Sequence, residues 1–222
     1  MGIFIASSII FIWGIHLAYC LLFVEINLSS PLFYLHFFLQ AYLYTGLFIT
    51  AHDAMHRNIS KKQLVNKIFG TAASLLFAGL SYNKLLINHS KHHKSPGGNT
   101  DPDFYMESQN FFIWWLVFLK RYTTIPQLLI MAAIFNILKI WSSELTIFTY
   151  WVIPAFLGTL QLFYFGTYLP HKYPHTDSMR SHNARTQKKN HIWGMLSCYF
   201  FGYHLEHHES PGTPWWQLYK LK

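Results

Sequence analysis

Two long runs without a charged residue open the chain, Ile3–Val24 of 22 residues and Leu32–Ala51 of 20. About 20 apolar residues are needed for a helix to cross the hydrocarbon core of a bilayer. Each run therefore predicts a membrane span, and the short Glu25–Pro31 turn makes them a helical hairpin. A cleaved leader would carry a basic n-region and a shorter apolar stretch, so Ile3–Val24 reads as a true span. Ile68–Asn83 is apolar over only 16 residues and predicts a buried or interfacial helix. Phe111–Leu119 is a short aromatic stretch expected at the interface. Tyr122–Leu138 and Leu145–Leu169 predict a second hairpin turning around Trp141–Glu144. Pro126 lies near a helix start, where proline is tolerated, whereas Pro154 is expected to kink its helix. The fold class is thus all-α and integral to the membrane, with about four transmembrane helices in two hairpins plus interfacial helices, as a single domain over residues 1–222.

Composition agrees with a solvent other than water. Only 12% of the 222 residues are charged, where soluble domains carry about 25%. Aromatic residues reach 19%, which suits membrane interfaces and a long apolar ligand. The net charge of +8 does not indicate nucleic acid, because the basic residues are interspersed with apolar runs. Residues 52–67, 84–121 and 171–222 hold 16 of the 17 Lys and Arg, and only Lys139 lies elsewhere. Positive charge collects on the cytoplasmic side of membrane proteins, so these segments and both termini are expected there. Cys20 and Cys198 are isolated and read as small core residues.

Three histidine clusters change the picture from a membrane bundle to a chemical one. They are His52-Asp-Ala-Met-His56, His89-Ser-Lys-His92-His93 and His204-Leu-Glu-His207-His208. Positions i, i+3 and i+4 share a helix face, so each cluster aims two or three imidazoles one way. All three lie on the expected cytoplasmic side, just beyond apolar runs, as a histidine-rich di-metal cap. Ionisable groups at membrane depth default to function. One catalytic zinc takes three protein ligands, so eight imidazoles suit two metal ions. Imidazole accepts Zn, Cu, Fe or Ni, which leaves the metal open. The HExxH of zinc proteases is absent, since Asp53 stands where that motif has Glu. A ninth ligand is expected at His171, with His175 as competitor. His16 and His36, inside the spans, read as hydrogen-bonded or interfacial histidines, and His182 and His191 are left unassigned. Asp53, Asp101, Asp103 and Glu206 are candidates to orient the ligating imidazoles, since a metal-bound histidine donates its other N–H to a carboxylate or carbonyl. Pro96–Asp103 reads as a turn-rich loop, and Trp215-Trp216 as an interfacial anchor.

The HxxxH, HxxHH and HxxHH series resembles the membrane fatty-acid desaturase and hydroxylase superfamily. The flanking strings Phe165-Gly-Thr-Tyr-Leu-Pro-His171, Ser181-His-Asn-Ala-Arg185, Ser197–His208 and Pro214-Trp-Trp-Gln217 resemble the β-carotene ketolases of bacteria and cyanobacteria. Lys172 departs from the Arg expected after Leu-Pro-His, and the stretch from Glu209 differs slightly from the family's wording. The resemblance implies two iron ions (Fe2+) held by His52, His56, His89, His92, His93, His204, His207 and His208, with His171 as the ninth ligand. It implies oxidation of C4 of β-ionone rings in β-carotene to a ketone, giving echinenone and canthaxanthin. Two successive O2-dependent hydroxylations would do this, the second yielding a geminal diol that loses water. Electrons would come from an external carrier such as ferredoxin, at the cytoplasmic face of a bacterial or cyanobacterial membrane. A carotenoid ring 3-hydroxylase or an acyl-lipid desaturase would share the same iron site. A non-enzymatic metal transporter is a further alternative, but it should place ligands along a crossing path instead of at one face.

Overall fold

The computed structural model describes residues 1–222, apart from the side chains of Arg180 and Ser181, so the first residue of the Ser181–Arg185 string lies outside the described side chains. The described residues contain helices and no strand. Helix α1 runs Gly2–Phe23 and α2 runs Pro31–Met55, with Pro31 in its first turn, where a missing N–H costs nothing. Helix α7 runs Glu144–His171. These three are long and apolar enough to cross a membrane, and the count rises to five if two bent pairs are each taken as one span. Large apolar side chains face outward along them, Phe4 at 72% and Phe11 at 67% exposed on α1 and Phe38 at 59% on α2. Unpaired with protein, such a surface is what a lipid-facing wall requires.

The bent pairs correct the expected boundaries. Helix α3 (Gln63–Ala78) stops at Gly79, whose φ of +66° is left-handed, a conformation that glycine adopts without strain. Tyr82 and Asn83 therefore belong to the next helix, α4 (Tyr82–Lys94), which leaves α3 at 100°. Likewise Tyr122 ends α5 (Phe111–Tyr122), and α6 (Ile125–Leu138) departs at 89°. Thr124 caps α6 in a reciprocal arrangement with Gln127, and Pro126 behind it cannot extend α5. At 14 residues, α6 is about 21 Å long, short of the roughly 30 Å hydrocarbon core.

Pro154 does not break α7. The helix widens to π turns over Phe148–Val152 and Tyr164–Tyr168, just ahead of Pro154 and Pro170. A proline ring clashes with the carbonyl four residues back. Those carbonyls belong to Tyr150 and Gly166, each inside a widened turn, so the helix absorbs both prolines and continues. The core lies between α1, α2 and α7, centred on Tyr44, Leu47, Ile49 and Tyr150. Gly158 lets α7 close on α2, since a Cβ there would lie 3.1 Å from that of Tyr44.

Both ends of the chain sit at one end of the bundle. A Cβ on Gly2 would lie 2.5 Å from the carbonyl of Ile59, just past α2. Near the C-terminus, Asn58 donates to the carbonyl of Pro211 at 3.0 Å. The short helices α8 (His191–Cys198) and α9 (His204–Glu209) close this end. Between them Tyr199 and Phe200, with φ of +48° and +60°, reverse the chain.

Candidate metal centre

Four helix segments meet at that end: the last turns of α2 and α7, the second half of α4, and α9. Nine imidazoles converge from them in two groups. His52, His56, His89, His93 and His207 form one, and His92, His171, His204 and His208 form the other, each with its ligand atoms within 4.8 Å of one another. The groups adjoin, the His93 and His208 rings having centroids 4.3 Å apart. In the five-membered group Nε2 of His56 lies 2.7 Å from Nε2 of His89, and Nε2 of His93 lies 3.0 Å from that of His207. In the four-membered group Nε2 of His208 lies 3.1 Å from Nε2 of both His92 and His204.

The donor set fits metal ions. The buried Nε2 atoms of His52 and His171 have no hydrogen-bond partner among the described residues. A buried polar atom without a partner is costly, and a cation relieves it. Burial and mutual repulsion push His93 down to about 2, burial pushes His56 down to about 4, and both effects hold His204, His207 and His208 well below the usual imidazole range. Neutral imidazole is the metal-binding form.

Fixed acceptors set the orientation of two rings. His92 Nδ1 donates to the Asp101 carboxylate at 2.9 Å, and His171 Nδ1 donates to the Asn183 carbonyl at 2.9 Å. Both acceptors demand the proton on Nδ1, which leaves Nε2 as a lone pair aimed into the four-membered group. Asp101 is itself fixed by the N–H groups of Gly97 and Asp103, each at 2.8 Å. Burial would raise its carboxyl, but His92 and these N–H donors outweigh that and hold it below the ordinary value. Asp103 lies farther out, 3.9 Å from His92. Burial lifts it to about 6, and it accepts a short hydrogen bond from Tyr122.

The other two acidic candidates are placed differently. The Asp53 carboxylate accepts from the Trp215 N–H at 3.3 Å, pinning the segment after α9 to α2 instead of orienting an imidazole. Glu206 lies 3.8 Å from Lys222 Nζ. His175 stands outside both groups, its Nε2 2.9 Å from the His171 carbonyl, and His191 pairs with the Tyr203 hydroxyl at 2.8 Å. His182 stacks on His208 with centroids 5.6 Å apart.

Asn183 and Phe201 fall within the flanking strings, but no local pattern marks either as a member of the site. Phe201 packs its ring on both groups, 4.8 Å from His52 and 5.1 Å from His204 by centroids. Gly166 makes the space, because a Cβ there would lie 2.1 Å from the Phe201 ring. A mainly apolar cavity opens on His52, His89, His92 and His204, walled by Phe48, Phe77, Leu85, Phe118, Leu162 and Phe163, with Asp103, Tyr122 and Gln127 among its polar residues.

Comparison with known proteins places this arrangement. The family model described as fatty acid desaturase matches residues 29–143 and 119–222, segments that hold all three histidine clusters. The chain is 32% identical to the Beta-carotene ketolase of a Paracoccus species over 220 residues, covering 98% of this chain and 90% of the relative. The chain belongs to the fatty acid desaturase family, among its carotenoid ketolases. Within that family it is also 36% identical to a second Paracoccus Beta-carotene ketolase, over 80% of this chain and 74% of the relative. It is 35% identical to the Zeaxanthin 4-ketolase of Chlamydomonas reinhardtii over its whole length, which spans 53% of that relative. No solved structure matches. Family membership and the lipid-facing helices make this an integral membrane protein.

Proposed function

We propose that the chain is a β-carotene 4-ketolase, converting the C4 methylene of a β-ionone ring to a ketone by two successive O2-dependent hydroxylations. The observation that carries this reading is the pair of adjoining imidazole groups opening on an apolar cavity, in a chain whose well-covered relatives are β-carotene ketolases. Five and four imidazoles would hold two iron ions, which when bound supply the activation of O2. The cavity wall would receive an apolar ring and exclude water, leaving C4 near the metals. Asp101, through His92, and the Asn183 carbonyl, through His171, hold the ligating nitrogens in register. Asp53 keeps the Pro214–Lys220 segment docked behind α9. The electrons would come from an external carrier of the ferredoxin type.

The topology proposed is four crossings, by α1, α2, the bent pair of α5 and α6 taken together, and α7, with α3 and α4 turning back to the metal side. The contacts of Gly2 with Ile59 and of Asn58 with Pro211 support both termini lying on that side. The concentration of basic residues on that side supports its being the cytoplasmic one.

Expression in β-carotene-producing cells tests the reading. Echinenone or canthaxanthin is expected. Zeaxanthin would make the chain a ring 3-hydroxylase, and unchanged carotene with new lipid unsaturation would make it an acyl-lipid desaturase. Purified protein should hold about two irons per chain; tightly bound zinc alone would overturn the oxygenase reading.

A further inference from the structure

A second cluster of metal-ligating side chains lies away from the di-metal centre, between α1 and α2. His16 and Cys20 are one turn apart on α1, and His36 and Gln40 are one turn apart on the facing side of α2. Sixteen residues separate His36 from His52, about 24 Å along α2, so this cluster shares no ligand with the nine imidazoles. Its α1 half precedes the segments matched by the family model.

The geometry matches a ligand set. Nδ1 of His16 lies 2.6 Å from Gln40 Oε1, and Nε2 of His16 lies 3.1 Å from His36 Nδ1. Cys20 Sγ is 3.8 Å from both nitrogens of the His16 ring. Gln40 Oε1 only accepts, so it takes the His16 Nδ1–H and leaves Nε2 as a lone pair directed at His36. The same device sets His92 and His171. Cys20 and Gln40 are fully buried, and Gln40 Nε2 has no partner among the described residues. His16 and His36 are half-buried, and His16, Cys20 and His36 each offer a ligand atom, all within 4.8 Å of one another.

We propose that His16, Cys20 and His36 bind one cuprous ion, which joins α1 to α2. Two imidazoles and a thiolate form a three-coordinate set suited to copper, and thiolate favours the monovalent state. Charge selects in the same direction. Cu(I) with one thiolate is neutral, whereas a divalent ion would leave a net positive charge inside the hydrocarbon, at high cost. On binding, the Cys20 S–H bond breaks, an S–Cu bond forms and the proton goes to solvent; no electron is transferred. Affinity should consequently rise about tenfold per pH unit while the free thiol remains protonated.

The test titrates Cu(I) into the purified, iron-loaded protein in detergent against a colorimetric Cu(I) chelator. One equivalent per chain should be retained beyond any copper bound at the histidine boxes. His208→Ala should keep that equivalent, and Cys20→Ser and His36→Ala should each weaken it at least 100-fold. Iron content checks that Cys20→Ser and His36→Ala are folded. Cys20→Ser keeps the polar contact but not the soft ligand, so a merely hydrogen-bonded cluster would bind Cu(I) no better with Cys than with Ser. Equal retention by parent and Cys20→Ser, no retained equivalent, or a tenfold pH dependence that survives in Cys20→Ser would each overturn the proposal.

Discussion

His92 Nδ1 and the Asp101 carboxylate lie 2.9 Å apart, both buried, with two backbone N–H groups holding the carboxylate from behind. This contact fixes which nitrogen of His92 faces the four-membered group. Removing such an outer partner typically costs 10–100-fold in metal affinity or activity. Asp101→Asn should lower ketone formation by about that factor while the protein stays in the membrane. Product yield and iron per chain, measured together, check it; an unchanged yield would remove Asp101 from the site.

His171 and His175 separate cleanly. His171→Ala deletes a buried nitrogen of the four-membered group and should abolish detectable product. His175→Ala loses a contact to a backbone carbonyl and ring contacts with Tyr173 and Phe104, none of them a member of either group, and should retain product within a factor of a few. The reverse order would assign the ninth ligand to His175.

Gly166→Ala places a methyl within 2.1 Å of the Phe201 ring, which rests on His52 and His204. Overpacking of this kind costs about 1–3 kcal/mol. The expected result is a lower Tm with reduced activity, both partly restored by Phe201→Leu, which makes room for the methyl.

Metal-free protein should lose stability in acid. The folded-state values of His56, about 4, and His93, about 2, lie below the ordinary 6.5, as do those of His204, His207 and His208. Above about 6.5 these groups are neutral in both states and carry no penalty; as pH falls below that, the unfolded chain takes up protons that the folded one resists. Asp103, raised to about 6 from 3.8, works oppositely, since the folded state holds its proton more tightly in that window. His92, which burial lowers but Asp101 raises further, works in the same sense as Asp103; the five lowered histidines outweigh these two groups. Thermal melts of chelator-stripped protein at pH 7.5 and 5.5 should show the lower Tm at 5.5, and bound metal should reduce the difference by competing with protons.

Much of the site was legible because its determinants are local. Helical spacing puts the three boxes on helix faces, and charge distribution puts them at one end of the bundle. How the boxes share their imidazoles was not legible. In the second box His89 and His93, four apart, serve one group while His92 serves the other; in the third, His204 and His208 pair and His207 crosses over. Positions i, i+3 and i+4 share one helix face, but i+3 and i+4 fall on opposite sides of i, about 100° apart around the helix, and which group each meets depends on how α4 and α9 are docked. Asp53 is a parallel case, because its partner Trp215 lies 162 positions away. Likewise the breaks at Gly79 and Thr124 are local signals inside apolar runs, where hydropathy alone sees continuity.

The interleaving of the third box also orders events in time. His207 belongs to one group, and His204 and His208 to the other, so neither group is complete until α9 has been synthesised and docked. The ribosome delivers these histidines after every other member of the centre. An unfinished chain, or one cut between α8 and α9, would lose ligands from both groups at once. Metal loading should therefore wait until α9 has left the ribosome, and its onset in pulse-labelled membranes would report that the segment after α9 had reached Asp53.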